Sequence, residues 1–203
     1  MITLYVPRDS ASRSVGADEV AERLAALLPD ARIVRNGSRG MLWLEPLVEI
    51  DTPDGRVAYG PVLEADLDSL AAALLADGEH PLRLGLTGEL PWLASQERLT
   101  FARVGVIDPL DPDDYLAHGG VAGLRRALTM DRTSIVDEVA DSGLRGRGGA
   151  GFPAGIKWRT VEATASAQKY VCVNADEGDS GTFADRMLME GDPFTLLEGM
   201  AIA

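Results

Sequence analysis

The chain has 203 residues and a mass of 21.6 kDa, with 46% hydrophobic and 25% charged residues, enough for one large domain or two small ones. Nineteen basic against 32 acidic residues give a net charge of −13, the wrong sign for a general nucleic-acid binder. One cysteine, Cys172, and two histidines, His80 and His118, exclude an intrachain disulfide, a Cys-built zinc site, an iron–sulfur cluster held by this chain alone and a multi-histidine metal site.

Met1 to Val6 lacks the basic start and cleavage site of a signal peptide, and no apolar run nears the roughly 18 residues that span a bilayer. The cytoplasm is the default location, with no membrane insertion. Ile2 to Val6 is a short β-prone run. Asp18 to Leu28 carries Val20, Leu24, Leu27 and Leu28 at helical spacing, and Pro29 stops it. Ala31 to Arg35 and Met41 to Leu44 read as strands. Leu47 to Ile50 and Arg56 to Tyr59 flank the turn Thr52-Pro53-Asp54-Gly55 and predict a hairpin. Leu63 to Leu75 is a second amphipathic helix. The order β-α-β-β-β-α suits a small α/β domain over residues 1–80.

Residues 81–115 read as a linker punctuated by Pro81, Pro91, Pro109 and Pro112, with one strand at Leu99 to Ile107 and a solvated acidic patch at Asp108, Asp111, Asp113 and Asp114. Residues 116–203 form the second domain. Leu116 to Met130 holds Gly119-Gly120 and then a helical Leu124 to Leu128, and Ser134 with Asp137 predicts a capping box for a helix ending at Ser142-Gly143. Tyr170 to Asn174 reads as a buried strand that makes Cys172 an inert core thiol. Trp43 and Trp92 read as packing residues and Trp158 as a brace behind the glycine-rich run before it. Asp192-Pro193 opens a last helix that meets no stop signal before Ala203, which reads as a truncated chain.

Ser142 to Lys157 is the most informative stretch. It holds six glycines, among them Gly146-x-Gly148-x-x-Gly151. Those letters fit a dinucleotide fingerprint, but that motif follows a strand and a helix precedes this one. Glycines let backbone N–H groups approach a ligand, and Pro153 can start a helix whose N-terminus favours an anion. Arg145, Arg147, Lys157 and Arg159 form a positive island with no acid between residues 142 and 159, and Lys157 is one of only two lysines. Phosphate or a flavin–nucleotide pair is the ligand this suits; a flexible linker with solvated arginines is the plain alternative.

Val173 to Arg186 leaves the expected strand for an acidic, glycine-bearing turn, where Asn174 and the carboxylates can hydrogen-bond a ring edge or a ribose. Gly178-Asp179-Ser180-Gly181 matches the letters around a trypsin-like nucleophile, but that fold is all-β. The spacing of a calcium loop is absent. A solvated acidic turn is the remaining alternative.

Together, Ser142 to Trp158 and Asn174 to Arg186 resemble the 51 kDa-type, FMN- and NADH-binding flavoprotein subunit of respiratory complex I and of related diaphorases. The resemblance covers residues 116–203 and implies the start of a Rossmann-like FMN/NAD-binding domain. It implies FMN and NAD as cofactors, held by Gly146, Arg147, Gly148, Gly149 and Gly151, with Gly146 and Gly148 lining flavin and nicotinamide. Phe152 would stack on the adenine side and Lys157 would contact the dinucleotide. Asn174, Asp176 and Glu177 would contact the FMN ring or ribityl chain. Asp179 stands where many members have a Glu that contacts NAD, Ser180 where many have Pro, and Thr160 replaces an aromatic. No catalytic side chain and no metal ligand are expected, because hydride passes between nicotinamide and flavin.

The N-terminal part resembles a thioredoxin-like ferredoxin module without its cluster; Ser38 and Leu42 stand at two positions of its lost cysteines. With Asp179-Ser180-Gly181 this looks most like the β subunit of a soluble, molybdenum-containing NAD-dependent formate dehydrogenase. That implies a ferredoxin-like 2Fe–2S γ-type subunit and a molybdenum α subunit as partners. A 4Fe–4S cluster is expected in the family's C-terminal part, outside these residues. Alternatives are a complex I or NAD-reducing hydrogenase flavoprotein subunit, or a non-catalytic piece that docks a cluster-bearing partner.

Overall fold

A computed structural model describes residues 2–147, 149–178 and 180–203. The chain divides into two compact units. The first comprises Met1–His118 with Met187–Pro193, the second Gly119–Arg186 with Phe194–Ala203.

In the first unit, β1 (Thr3–Tyr5) is followed by α1 (Ser10–Arg13), α2 (Ala17–Leu27) and β2 (Arg32–Val34), which lies parallel to β1. Then β3 (Val48–Thr52) and β4 (Gly55–Tyr59) form the expected hairpin, with Thr52 opposite Gly55, and α3 (Leu67–Leu75) follows. A further strand, β5 (Arg83–Leu86), lies antiparallel to β4, giving the sheet order β2-β1-β3-β4-β5. A parallel βαβ unit joined to an antiparallel ββα unit on one sheet is the thioredoxin-like α/β arrangement.

Alternation along the strands serves both faces. Val57 and Tyr59 join the main core with Leu4, Val6, Val48, the α2 residues Val20, Ala21 and Leu24, and the α3 residues Leu67, Leu70, Ala71 and Leu74. Ala58 points the other way, into a smaller cluster with Met41, Leu47 and Leu93. Leu24 and Leu70 are fully buried, and each such side chain stabilises by about 1.5–3 kcal/mol.

The remaining helices are α4 (Pro91–Ala94), α5 (Pro112–Ala117), α6 (Ala122–Ala127), α7 (Arg132–Asp141), α8 (Ala154–Ala163), α9 (Ala184–Gly191) and α10 (Pro193–Ile202). Residues 187–193 are built tightly into the first unit. A Cβ on Gly37 would lie 2.8 Å from the Gly191 Cα, so glycine is needed for the approach. Asp192 is fully buried and accepts from the Arg103 Nε at 2.8 Å, while the Arg103 guanidinium sits 4.7 Å from the Tyr115 ring. In the second unit, the Glu198 carboxylate accepts from the Val121 and Leu124 amides at 2.8 and 2.9 Å and so caps α6.

Several expectations are corrected. The sheet does not end near residue 80, because β5 extends it. Residues 81–115 are no bare linker: Leu93, Val104, Ile107 and Tyr115 are buried. Leu99 to Ile107 is a series of turns rather than a strand, with Val104 N–H bonded to Phe101 O, Val106 N–H to Arg103 O, and Gly105 at φ +82°. Met41 to Leu44 contains a 3-10 turn at Leu42–Leu44. The helical run expected at Leu124 to Leu128 falls on α6, which starts earlier, at Ala122, after Val121 at φ +58°, while α5 ends at Ala117. The acidic patch is ordered, with Asp111 capping α5 through the amides of Asp113 and Asp114 and Asp114 accepting from the Asp108 amide. The helix expected at Ser134 starts earlier, capped by Asp131.

Candidate functional site

Ser142 to Pro153 is a largely exposed loop between two helices that pack closely, and Ala154 to Lys157 open the second of them. α7 ends at Asp141, followed by Gly143 at φ +68°, a conformation glycine takes without cost. The loop folds back on itself. Gly146 N–H donates to Phe152 O (2.9 Å), Ala154 N–H to Leu144 O (2.8 Å), and Arg145 and Pro153 form an antiparallel bridge. The Arg145 guanidinium donates to Gly151 O at 2.9 Å, across the turn. Gly149 and Gly151 are left-handed, and a Cβ on either would meet no atom within 4 Å, so the space beside both is open.

Pro153 is the N-cap of α8; no side chain caps the helix, and its first N–H, that of Ala154, is taken by Leu144 O. Behind the loop, a Cβ on Gly155 would press on the Ala140 Cα and lie 2.6 Å from the Ala140 Cβ, so only glycine permits α7 and α8 to sit this close. Lys157 places its Nζ 5.6 Å from the Phe152 ring centroid, a cation–π pair, and the ring is 46% exposed. Arg147 is exposed; Gly148 lies outside the described residues. Arg159 pairs with Asp137 at 2.8 Å and belongs to the α7–α8 contact more than to the loop.

The second segment departs from expectation. Tyr170 to Asn174 is exposed and unpaired, not a buried strand: Tyr170 is 77% exposed, and Val171, Cys172 and Val173 are exposed too. A strand needs a neighbour for its N–H and C=O groups, and among the described residues 119–203 there is none. Cys172 is therefore a surface thiol. Asn174 Oδ1 accepts from the Asp176 amide at 3.0 Å, a local turn, and Asp176 is exposed. Glu177, at φ +52°, accepts from the Asp185 amide at 3.1 Å and so reaches the start of α9. Asp179 lies outside the described residues. Among the described residues, no hydrogen bond joins this segment to the glycine loop. Sequence reading missed α9 and with it this role of Glu177; the pattern Ala184-Asp185-Arg186-Met187-Leu188 was its signal.

In the first unit, Ser38 is buried and donates to Glu45 Oε1 at 2.6 Å, whereas Leu42 is 40% exposed. Neither offers a thiolate. Among the described residues, no group of three or more His, Cys, Asp or Glu could hold a metal, and no helix is long and apolar enough to cross a membrane. Trp43 and Trp92 are half-exposed and pack edge-to-face on each other, centroids 5.4 Å apart.

The loop thus brings together left-handed glycines, the exposed Arg147, the Lys157–Phe152 pair and a helix start that no side chain caps. Residues 139–203 match the family of the Nuo51 FMN-binding domain. Over 107 residues the chain is 51% identical to the NADP-reducing hydrogenase subunit HndC of Solidesulfovibrio fructosivorans, covering 53% of this chain and 22% of that protein. It is 54% identical over 92 residues to an NADH-quinone oxidoreductase subunit of Rhizobium meliloti, 44% of this chain and 21% of that one. Residues 139–203 are thus similar to a stretch of the 51 kDa-type flavoprotein family. The chain spans about a fifth of the length of these curated relatives. Among solved structures, the thioredoxin-like 2Fe–2S ferredoxin from Aquifex aeolicus (Cys55Ser variant) aligns with TM-score 0.37 and 22% identity, over 42% of this chain and 99% of that one. An NAD+-reducing NiFe hydrogenase aligns with TM-score 0.40 and 23% identity, over 99% of this chain and 35% of that one.

Proposed function

We propose that this chain supplies part of the cofactor face of an NAD(H):FMN diaphorase subunit in the cytoplasm. The reaction is hydride transfer between NAD(H) and FMN, with electrons exchanged between FMN and iron–sulfur clusters. The observation that supports it is the open glycine loop between α7 and α8, set in a stretch of the FMN-binding family. FMN, when bound, would exchange electrons with nicotinamide as a pair and with iron–sulfur clusters singly.

The residues present fit such a ligand. The loop's N–H groups and the uncapped start of α8 receive phosphate. Arg145, Arg147 and Lys157 balance its charge. Gly146, Gly148, Gly149 and Gly151 keep side chains out of the way of flat rings, which supplies proximity and orientation. Phe152 and Lys157 together offer an aromatic face with a cation over it for the adenine end of NAD. The exposed Asn174, through its amide nitrogen, and the Asp176 carboxylate read hydroxyls or ring nitrogens, with Asp179 beside them in the chain. Glu177 shares that task with holding the start of α9.

The test is titration of the intact gene product with FMN, followed by flavin fluorescence. Saturable quenching is expected, and Lys157→Ala should raise the KM for NADH at least several-fold. No FMN binding, or an unchanged KM, sinks the reading.

The electron donor we infer is formate, with a molybdenum α subunit and a 2Fe–2S γ-type subunit as partners and NAD+ reduced. Formate-dependent NAD+ reduction by the purified assembly checks this; NADH oxidation coupled only to quinone or to hydrogen would replace it with the complex I or hydrogenase assignment.

A second reading concerns the first unit alone: a docking module for a cluster-bearing partner. The exposed Trp43–Trp92 pair and the lack of thiolates at Ser38 and Leu42 favour it. Trp43→Glu should then break co-purification with that partner while FMN binding persists; an intact assembly removes the idea.

A further inference from the structure

The tip of the glycine loop hangs on one side chain. Main-chain bonds close its stem, Ala154 N–H to Leu144 O at 2.8 Å and Gly146 N–H to Phe152 O at 2.9 Å. A regular antiparallel pair would return a second bond, from Phe152 N–H to Gly146 O. That bond is not made, and Phe152 N–H donates to no group among the described residues. Left-handed Gly151, at φ +59°, precedes Phe152 and takes their shared peptide out of the ladder. The carbonyl of that peptide, Gly151 O, accepts from Arg145 Nη1 at 2.9 Å instead. Among the described residues, no other hydrogen bond reaches residues 147–151.

The bond has a geometric consequence. The Gly151–Phe152 peptide is trans, so its C=O and N–H point in opposite directions. With the oxygen held by Arg145, the Phe152 N–H points away from Arg145 and stays unbonded. Phe152 also carries the exposed ring, with Lys157 Nζ 5.6 Å from its centroid. A single residue thus offers an aromatic face and a backbone donor. The orientation of this peptide depends on rotation about Gly151 and Phe152, and glycine resists such rotation least of all residues. A flip would exchange the two groups and put an acceptor where the donor had been.

We propose that Arg145 is a positioning residue for the dinucleotide: by holding Gly151 O, it keeps the Phe152 N–H available to the nucleotide on which the Phe152 ring stacks. Its ligand rests on the diaphorase reading; the staple across the turn does not. In this role Arg145 acts through the peptide it holds, beyond the charge it shares with Arg147 and Lys157 on the loop. Arg145 is itself exposed, so its replacement leaves no cavity in a core.

Two measurements on the intact gene product test it. The first needs no ligand. Trypsin cleavage after Arg147, followed as an initial rate by mass spectrometry, should be about 3–10-fold faster in Arg145→Ala than in wild type, the range that loss of one hydrogen bond allows. The second is steady-state NADH oxidation. Arg145→Ala should raise the KM for NADH about fivefold, by more than it lowers kcat. A direct charge contact is screened by salt, whereas an oriented peptide is not. The KM ratio of Arg145→Ala to wild type should therefore persist from ~0.02 M to ~0.3 M salt, while that of Lys157→Ala shrinks. Equal cleavage rates overturn the staple. A KM ratio that falls to near one in salt makes Arg145 a charge contact and overturns the positioning role. So does an unchanged KM in a variant that still binds FMN, which leaves the diaphorase reading standing. Wild-type protein that binds no FMN overturns that reading and the nucleotide role with it, whatever the cleavage rates.

Discussion

Gly155→Ala sets two effects of known size against each other. Gly155 is the second residue of α8, and alanine there gains at most about 1 kcal/mol of helix propensity. Against that, the new Cβ lies 2.6 Å from the Ala140 Cβ and presses on the Ala140 Cα. The obstacle is backbone and a methyl with no rotamer to change, so α7 and α8 must separate by roughly 1 Å, and overpacking of this kind costs about 1–3 kcal/mol. The clash wins, with a net loss of ~1–2 kcal/mol. Gly199 is the control: it is helical, and a Cβ there meets nothing within 4 Å, so Gly199→Ala should stabilise by about 0.4–1 kcal/mol. Urea denaturation followed by far-ultraviolet circular dichroism reads both. FMN titration of Gly155→Ala reads the consequence, weaker binding, because the loop hangs between these two helices. A Gly155→Ala midpoint at or above that of Gly199→Ala would refute the close packing of α7 on α8.

Asp192→Ala should cost about 3 kcal/mol by depriving Arg103 of a fully buried partner, the lower end for a buried pair because Arg103 keeps some solvent; a midpoint within error of wild type in urea contradicts this. The Asp131 carboxyl is held below its ordinary 3.8, first by the Ser134 amide and then by the Ser134 hydroxyl, so its capping of α7 is present above 3.8 and lost as pH falls through the lowered value. Faster Ser134 amide exchange on acidification should appear in wild type and be absent in Asp131→Asn; identical profiles would show that another group is responsible. Cys172 should react with a disulfide reagent in the native protein nearly as fast as in urea, and protection of tenfold or more would mean that residues 170–174 are covered.

Local features were legible from the sequence. The β3–β4 hairpin follows from Thr52 to Gly55 between two apolar runs, and α2 follows from the spacing of Val20, Leu24 and Leu28 before Pro29. Both are decided within about ten residues by backbone preference and burial of one face. The glycine loop was legible too, because its positive φ values and its basic rim lie in a single run. What needed the tertiary structure is whatever depends on a distant partner. Tyr170 to Asn174 has the composition of a strand but no ladder among the described residues, and Leu99 to Ile107 spends its apolar residues in turns. β5 becomes a strand by pairing with β4. The close contacts of Gly37 with Gly191 and of Gly155 with Ala140 join residues whose sequence neighbourhoods hold no sign of one another. Backbone preference is a property of neighbouring residues; pairing, exclusion of a Cβ and burial of a charge are properties of what the folded chain brings alongside.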